Sequence, residues 1–489
     1  MSFFLGIDIG STAVKACLIR GGGEPSVAGR GSSAYPTFRE GIRVEQDPLD
    51  WNRAAADAVR QAVAGLSEAE KKKIGGICLS AQGGSIFAAN EKGEPLTPAY
   101  TWMDRRAESE SEEFAAACGR EKVRGICGWG PSPADCVSKI LWIRRNQPDV
   151  YAGAKRYYTT EESVTGYLTG SFVTDATGES ICRIWDYMKG EYWGPAMDFA
   201  GIDPAFLPEV RPCGSPAGLL RPEAAADMTL PAGIPVYTGA HDQYCASIGS
   251  GVTEPGQLLI ATGTAWVLFG VSDRPLSGPP FPAPCRHPVD GRFGVMTSMS
   301  GCGGAIGAFA ESRGTTPRGF DEETEKRGVR EVRESLADFF VCPLPPGQSI
   351  QHREGVCVPL GPVSGRSDAD VALAAMEAVA FESAILIDAF EKAGFPHGDE
   401  IVMSGGASKS PLWRGIVAAV LPDRRVCRLC EADAPALGAA ILAGWGSGAF
   451  ASLGEASSLF SARLPVEADP DAAEFYKKKY QAYRSWALA

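Results

Sequence analysis

Two short turns rich in glycine and hydroxyl groups are the parts of this sequence best suited to bind phosphate. The first lies in residues 8–15 (DIGSTAVK) and follows an apolar run. The second lies in residues 261–265 (ATGTA), between two apolar runs. Glycine lets the main chain approach a ligand closely, and successive N–H groups with Ser/Thr hydroxyls donate to phosphate oxygens. Two such turns facing each other would hold a polyphosphate between two lobes.

The first turn predicts a strand–turn–strand hairpin rather than a P-loop. A P-loop needs G-x-x-x-x-G-K-[S/T] at the start of a helix. Apolar and polar residues instead alternate over 14–18, which is the period of a strand. Asp8 offers a carboxylate where phosphate-bound Mg²⁺ would sit, since Mg²⁺ prefers one or two carboxylates with phosphate and water. An ordinary hairpin with a turn aspartate is the alternative, but the pair of turns favours phosphate binding.

Asp242 is a candidate general base. It lies in a Gly-x-x-Asp turn after an apolar strand predicted at 235–238, shortly before the second phosphate turn. A carboxylate beside a transferable phosphoryl group accepts the proton of the attacking hydroxyl. The spacing equally permits Asp242 to cap a helix over 243–248, and a cap position would also fix its carboxylate. Both interpretations stay open from the sequence.

Gln82 and the segment 102–106 (WMDRR) offer the groups that a polyhydroxylated ligand requires. Trp102, Asp104 and Arg106 combine an aromatic face with charged donors and acceptors. The alternative is a helix start, with Asp104 near the N-terminus and Trp102 in the core.

Further along the chain, residues 405–410 (GGASKS) follow a strand and precede a helix. There a nucleotide base and ribose would pack on the backbone, while the helix N-terminus offers N–H groups. The glycine-rich stretch 301–307 is a second place of this kind. A Gly-Gly turn taken singly does not distinguish a nucleotide site from an ordinary strand–helix connection.

Length and composition predict two large domains in a folded protein, which we place at 1–248 and 249–489. The chain has 489 residues, of which 45% are hydrophobic and 22% charged. Its net charge of −12, with no long basic run, makes nucleic acid and anionic membrane unsuitable partners. No apolar stretch reaches the length of a membrane span, and Asp8 interrupts the N-terminus too early for a secretory signal, so we expect a cytoplasmic protein.

The 14 cysteines are scattered, as small core residues would be. Cys427 and Cys430 have the spacing of half a zinc site, but no second C-x-x-C completes it, so we interpret the pair as structural.

Periodicity predicts a similar order of strands and helices in both halves. A capping box at Ser367 and Asp370 should start a long helix that Gly394 ends. The shared order predicts duplicated α/β domains around a cleft, with a boundary near 249–256. Helices are expected near 48–64, 107–117, 136–145, 368–393, 411–421 and 434–444, strands near 74–79, 235–238, 258–260, 266–269, 400–403 and 426–429, and a loop-rich section over 187–232.

Taken together, these segments resemble the FGGY carbohydrate kinases, and most closely their xylulose kinase branch. The resemblance covers nearly the whole chain, with several motifs in the family's order. The most similar segments are 6–12, 207–210, 230–236, 263–273, 404–414 and 436–444.

The resemblance implies an α/β fold of two ribonuclease-H-like (actin-like ATPase) domains flanking a central catalytic cleft. It also implies phosphorylation of a hydroxyl of a small sugar or polyol, most simply a xylulose-like ketose, with ATP and Mg²⁺. By the same resemblance Asp242 falls on the catalytic base and Asp8 on the metal-associated carboxylate. The other matched positions are Thr12 and Lys15 in the first phosphate loop, Gly263 and Thr264 in the second, Gly303, Gly406 and Ser410 at nucleotide contacts, and Trp102, Asp104 and Arg106 on the sugar side.

This chain departs from the xylulose kinase pattern around the sugar. Gln82 is followed by Gly-Gly-Ser where that branch has Met-His-Gly, so a sugar-contacting histidine is absent. His241 replaces a usual glycine and Gln243 a usual asparagine. The small residues at 83 and 84 predict a roomier or differently shaped sugar pocket.

Two other classes of function use the same fold. One is a catalytically silent sensor or scaffold that binds sugar and nucleotide, and the other is an actin-like or chaperone-type ATPase. Retention of Asp8, Asp242 and both phosphate turns favours the kinase. The sequence does not identify the sugar, the hydroxyl that is phosphorylated or the oligomeric state, for which a homodimer is one candidate.

Overall fold

The computed structural model describes residues 2–22, 25–263, 266–276, 285–299, 302–341, 360–431 and 433–488. The strands, in chain order, are β1 (Ser2–Ile9), β2 (Ala13–Gly21), β3 (Ser26–Ala34), β4 (Phe38–Glu40), β5 (Arg43–Gln46), β6 (Ile74–Ala81), β7 (Ile86–Ala89), β8 (Ala99–Tyr100), β9 (Arg156–Thr159), β10 (Val173–Thr174), β11 (Trp185–Asp186), β12 (Glu191–Tyr192), β13 (Glu209–Val210), β14 (Pro216–Leu219), β15 (Pro235–His241), β16 (Leu258–Thr262), β17 (Trp266–Ser272), β18 (Cys285–Arg286), β19 (Phe293–Ser298), β20 (Glu400–Gly405), β21 (Arg425–Leu429) and β22 (Arg463–Pro465).

The α-helices of the same ranges are α1 (Pro48–Val63), α2 (Glu68–Lys71), α3 (Glu108–Cys118), α4 (Arg120–Cys127), α5 (Cys136–Asn146), α6 (Pro148–Gly153), α7 (Thr160–Thr169), α8 (Ala176–Ile181), α9 (Gly194–Ala200), α10 (Pro222–Met228), α11 (Asp242–Gly249), α12 (Cys302–Ser312), α13 (Pro317–Arg327), α14 (Val329–Ser335), α15 (Asp368–Lys392), α16 (Pro411–Val420), α17 (Ala434–Gly446), α18 (Leu453–Phe460) and α19 (Pro470–Leu488). Short 3₁₀ helices occupy Pro204–Phe206 and Ala407–Lys409.

The first large sheet is built on the predicted hairpin, in the order β14-β15-β6-β1-β2-β3. Strands β1 and β2 are antiparallel, with Asp8 opposite Lys15, so the hairpin prediction is confirmed. Strands β1, β6 and β15 run parallel, with Asp8 beside Ser80 and Ala81 beside His241. Because parallel strands end at the same edge, the first turn, Gln82 and Asp242 follow three neighbouring strand ends.

The second large sheet repeats this arrangement in the order β18-β19-β17-β16-β20-β21-β22. Here β16, β20 and β21 are parallel, and β16, β17 and β19 form an antiparallel meander. In each sheet a hairpin therefore stands beside two further parallel strands. This confirms the predicted duplication of α/β topology, while the boundary between 248 and 249 stays a prediction.

The helices that the sequence predicted most clearly begin and end where their capping residues stand. Asp47 caps α1 and accepts the Leu49 N–H, and proline follows at the first helical position. Ser367 and Asp370 form the predicted capping box of α15. That helix stops just before Gly394, which adopts a positive φ of 95°.

The section 187–232 is less loop-like than predicted. It contains α9 and α10, each with a proline in its first turn. Pro195, Pro222 and Gly201 mark boundaries of these helices, because proline suits the first turn and glycine the position after the last. Gly190 and Gly214 lie in turns, as the prediction of loops required.

Helix α17 joins the two domains. It packs against β1, β6 and α11 of the first half. The approach is so close that a Cβ at Gly6 would lie 2.0 Å from the carbonyl oxygen of Ala436, and one at Gly438 would lie 1.9 Å from that of Cys245. One apolar cluster therefore contains residues of both large sheets and of α17, among them Phe4, Ile19, Phe269, Val271, Leu437 and Ile441.

A smaller unit carries the segment 102–106. It consists of the five-stranded sheet β4-β5-β8-β7-β9 and a helical layer that includes α3 and α5. The segment leaves β8 and turns back toward the first large sheet before α3 begins at Glu108. In the ranges that the structure describes, none of the helices is both long and apolar enough to cross a membrane.

Candidate active site

Asp8 lies at the end of β1 and is 5% exposed. The Ser80 hydroxyl on the neighbouring strand donates to its Oδ1 at 2.7 Å. Burial, reinforced by the charge of Asp242, raises the pKa of Asp8 to about 7, although the Ser80 hydrogen bond and Lys15 act in the opposite direction. Asp8 is therefore a carboxylate that a cation would readily stabilise in its charged form.

Asp242 is the first residue of α11, and its side chain remains 25% exposed. The helix is capped by His241, which accepts the Gln243 N–H, so the alternative in which Asp242 is the cap is wrong. Its Oδ1 accepts no hydrogen bond from the described residues, although His241 Nε2 lies 3.2 Å away. Burial raises the pKa of Asp242 to about 6, against the hydrogen bonds from Gln243. The carboxylate has spare accepting capacity beside Asp8.

We call the strand ends that carry Asp8, Ser80 and Asp242 the acidic edge. Sequence reasoning missed Ser80, because its contact with Asp8 depends on the parallel pairing of β1 with β6. No local pattern in the sequence indicates which strands will be neighbours.

Lys15 connects the first turn to the second domain. Its Nζ lies 2.9 Å from Oδ1 of Asp433, the residue before α17, and both side chains are partly exposed. Burial lowers the pKa of Lys15, but the hydrogen bond that its ammonium donates to Asp433, together with the charges of Asp433 and Asp8, raises the pKa overall. Arg30 and Glu431 form a second, two-bonded ion pair across the same junction. Sequence reasoning missed Asp433, which resembles a helix cap in sequence but makes no side-chain cap bond.

The second Gly turn stands at the ends of β16 and β20. Thr262 Oγ1 donates to the Ser404 carbonyl at 2.6 Å and accepts the Ala407 N–H at 3.0 Å. The Gly406 N–H donates to the Thr262 carbonyl at 2.8 Å, and Gly405 turns the chain with a φ of 89°. We call these two strand ends, with Thr262, Ser404, Gly405 and Gly406, the neutral edge.

The ion pair between Lys15 and Asp433 indicates that the two edges face each other. Asp433 follows β21, which is separated from β16 by β20 alone. Because β16, β20 and β21 are parallel, the second turn and the segment that holds Asp433 leave the same edge of the sheet. This arrangement agrees with the prediction that the two turns face each other between the two domains.

The remaining predicted nucleotide residues occupy several local settings. Gly263 follows β16 directly, and Thr264 lies outside the described residues. Thr12 is exposed in the first turn, and its carbonyl accepts the Tyr35 N–H. Ser410 caps α16 by accepting the Trp413 N–H at 3.0 Å, and Gly303 lies in the first turn of α12. Their contacts with a nucleotide stay predictions.

Gln82 and Trp102 both reach the first turn. The Gln82 N–H donates to the Ile9 carbonyl at 3.0 Å, and its buried Oε1 has no partner among the described residues. Trp102 is 37% exposed, and its Nε1 donates to Ser11 Oγ at 3.0 Å. Because Trp102 is not in the core and α3 begins only at Glu108, the helix-start alternative is wrong.

Asp104 and Arg106 are engaged with each other. Asp104 is 0% exposed and accepts the Val44 N–H at 2.7 Å as well as three bonds from Arg106. The Arg106 guanidinium also lies over the Tyr100 ring, 3.8 Å from its centre. The two side chains fix the segment that carries Trp102, and their direct contact with sugar stays a prediction.

The space beside Gly83 is filled rather than open. A Cβ at Gly83 would lie 2.8 Å from Cδ2 of His241 and 2.8 Å from Cγ2 of Ile181. Next to it, Gly84 has a φ of 73° and lies against the Ala134 carbonyl. The structure therefore corrects the expectation of a roomier pocket at 83, because the His241 ring occupies the vacated volume. The other expectation, a differently shaped pocket, agrees with this arrangement.

The cysteines at 427 and 430 differ in exposure. Cys427 is buried and Cys430 exposed. Over the described part of the chain, no group of three or more His, Cys, Asp or Glu side chains is placed to hold a metal ion.

Two family models match the chain. The N-terminal domain of the FGGY family of carbohydrate kinases matches residues 3–249, and the C-terminal domain of that family matches residues 258–447. A xylulose kinase of Bacillus subtilis (strain 168) is 25% identical over 98% of this chain and 93% of its own length.

Solved structures show the same fold. The crystal structure of xylulose kinase from Rhodospirillum rubrum superposes with a TM-score of 0.83 at 24% identity, covering 99% of this chain and 98% of that one. Plasmodium falciparum glycerol kinase with ADP gives 0.80 at 17% identity, covering 100% and 99%. The repeated sheets thus form the two-domain, actin-like fold that the sequence predicted. With both family models matched over most of its length, the chain belongs to the FGGY family of carbohydrate kinases, phosphotransferases with an alcohol group as acceptor.

Proposed function

We propose that this kinase transfers the terminal phosphoryl group of Mg-ATP to a hydroxyl of a small ketose resembling xylulose, with Asp242 as the general base. The observation that carries the proposal is the unpartnered Oδ1 of Asp242 on the acidic edge. A general base needs a free acceptor atom and a pKa below the working pH. With its pKa raised only to about 6, Asp242 is ionised at neutral pH and still basic enough to accept a hydroxyl proton.

The acidic edge fits a magnesium ion. Mg²⁺ is usually held by one or two carboxylates, with phosphate oxygens and water completing the octahedron. Asp8 supplies one carboxylate, and burial, reinforced by the charge of Asp242, raises its pKa, so a cation beside it would stabilise its charged form. The ion would neutralise negative charge on the terminal phosphates, and Asp8 would orient it from the end of β1.

The neutral edge suits the nucleotide. Its four residues Thr262, Ser404, Gly405 and Gly406 include no carboxylate that would repel phosphate, and their bonds through Thr262 hold the start of the second turn in shape. We assign Gly263, Thr264, Gly406 and Ser410 to this side, together with Gly303 of α12. We assign Thr12 and Lys15 to the opposite phosphate turn. Lys15 would exchange its contact with Asp433 for a phosphate oxygen when the two domains close.

On the sugar side, the Gln82 side chain is the best-placed hydrogen-bond acceptor for a sugar hydroxyl. Its buried Oε1 lacks a partner, which favours a hydroxyl donor as its complement. Trp102 presents a partly exposed indole beside Ser11 of the first turn. The full-length likeness to a xylulose kinase supports a ketose, and the His241 ring at Gly83 predicts a preference that differs from that relative's.

The first experiment is a coupled ADP-release assay with D-xylulose and a panel of other pentuloses, hexuloses and polyols. Sugar-dependent turnover with a ketose is expected. Turnover without sugar would instead indicate an ATPase, and ATP binding without any turnover would indicate a silent scaffold.

Asp242→Asn then tests the general base. We expect kcat to fall about 100- to 10,000-fold while the dissociation constant for ATP, measured by calorimetry, stays within about twofold. Asp433→Asn is the matched control, because it removes a carboxylate of the same junction that is not placed to accept the proton, and we expect only a few-fold loss. Near-wild-type turnover of the Asp242→Asn protein would refute the assigned role.

A further inference from the structure

Lys139 is a buried lysine near the start of α5, in the helical layer beside the sugar side. It lies in α5 and is 0% exposed. Its Nζ donates to three main-chain carbonyls, those of Gly84 at 2.8 Å, Thr101 at 2.7 Å and Ala134 at 3.0 Å. All three ammonium hydrogens therefore have an acceptor, and each acceptor belongs to a different segment of the chain.

The three segments are those that surround the proposed sugar subsite. Gly84 follows Gln82 in the turn after β6, and Thr101 directly precedes Trp102. The same segments also touch one another, since the Trp102 N–H donates to Ser85 Oγ at 3.3 Å. A Cβ on Gly84 would lie 3.1 Å from the Ala134 carbonyl and 3.4 Å from Cβ of Trp102. Lys139 thus binds the point where the turn, the Trp102 segment and the start of α5 converge.

The lysine is an unusual choice for this position. Among the described residues no carboxylate forms an ion pair with it, and a buried charge without such a partner is unfavourable. Burial lowers its pKa to about 8, so the group is still an ammonium with three hydrogens at neutral pH. An apolar side chain of the same length would fill the space without this penalty but would remove the ammonium donor from the Gly84, Thr101 and Ala134 carbonyls. Of these three, the Thr101 carbonyl would keep a partner, because it also accepts the Asp104 N–H at 3.0 Å.

We propose that Lys139 is a positioning residue for the acceptor sugar, which holds Gln82 and Trp102 in register by binding the main chain of both segments. It does not touch the reacting atoms. This inference rests on the proposed function, because it takes Gln82 and Trp102 as the sugar side.

Lys139→Met tests the proposal, since methionine has a similar length and no donor. We expect the KM for D-xylulose, or for the best acceptor of the panel, to rise about tenfold or more, because small displacements of binding groups are costly. The KM for ATP should stay within about twofold. Lys139→Arg, which keeps the charge and the donors, should restore part of the sugar affinity.

Lys479→Met is the matched control. Lys479 is also buried, but it lies in the second domain and donates to Glu377 at 2.5 Å. Its loss should lower the melting temperature without changing the sugar KM by more than about twofold. A merely structural role for Lys139 would give the same result as this control, and that result would overturn the proposal.

Ser85→Ala keeps the test decisive if Lys139→Met does not fold. It removes the Ser85–Trp102 hydrogen bond at the same junction while the lysine remains. The proposal predicts a raised sugar KM and an unchanged ATP KM, whereas an unchanged sugar KM would overturn it. Absence of sugar-dependent turnover in the wild-type protein would contradict the proposed function instead, so the two failures are distinguishable.

Discussion

The acidic and neutral edges share one topology and differ in chemistry. In both, parallel strands end side by side next to a hairpin turn. At the acidic edge the strand ends carry Asp8 and Asp242, with raised pKa values and one free acceptor atom. At the neutral edge the turn groups bind one another through Thr262 and the N–H groups of Gly406 and Ala407.

The difference indicates a division of labour within a duplicated fold. Buried carboxylates suit a cation and a proton, whereas N–H groups and hydroxyls suit phosphate oxygens. If both edges were acidic, the repulsion of a polyphosphate would be strong in a site of low dielectric. The following three predictions test whether the two edges contribute in these different ways.

The largest effect is expected from Asp8→Asn at the acidic edge. Losing the charge should reduce sugar-dependent turnover about 100-fold or more and raise the Mg²⁺ concentration needed for half-maximal rate. The measurement is ADP release across a MgCl₂ titration. Ser80→Ala keeps the charge of Asp8 and removes only the hydrogen bond to its Oδ1, so the decrease in turnover should be far smaller. An unchanged magnesium dependence of the Asp8→Asn protein would contradict the role of Asp8 in binding the metal ion.

The pH dependence of the wild-type rate should reveal the titration of the general base, Asp242. Asp242 acts when deprotonated and its pKa is raised to about 6, so kcat/KM for the sugar should fall about tenfold per pH unit below that value. The profile is to be recorded at saturating Mg-ATP, so that titration of Asp8 does not limit the rate. Burial lowers the pKa of His241 to about 4, which keeps its titration outside this window. A flat profile down to pH 5 would contradict the assignment.

A smaller effect is expected from Thr262→Val at the neutral edge. Valine has the same shape but leaves the Ser404 carbonyl and the Ala407 N–H without their partner. The KM for ATP should rise about tenfold while the KM for the sugar changes little. Thr238→Val removes a comparable buried hydroxyl from β15 and serves as the control. An equal rise in both KM values would mean that the edges do not divide the substrates as proposed.

Much of the fold could be predicted because its signals are local. The alternation over 14–18 indicated β2, and the Ser367–Asp370 box marked the start of α15. The same reasoning was incomplete over 187–232, where turns alternate with two short helices, α9 and α10, that the sequence did not indicate. It also left the role of Asp242 in α11 open, since a cap and a first helical residue differ by one position.

The candidate site could be predicted in part. Asp8 and Asp242 were recognisable because each follows an apolar strand in a short turn. Their supporting contacts were not, since Ser80 reaches Asp8 only through the pairing of β1 with β6. Lys139 gave no signal either, because in sequence it is an ordinary polar residue of an amphipathic helix.

The sequence by itself determined the alternation of strands and helices, the two phosphate turns and the carboxylates beside them. These features depend on residues within a few positions of each other, where backbone preference and apolar periodicity act. Tertiary structure alone decided that Lys15 meets Asp433, that His241 fills the space beside Gly83, and that one ammonium binds three segments. Such contacts follow from strand order and close packing between distant parts of the chain, which a local pattern does not encode.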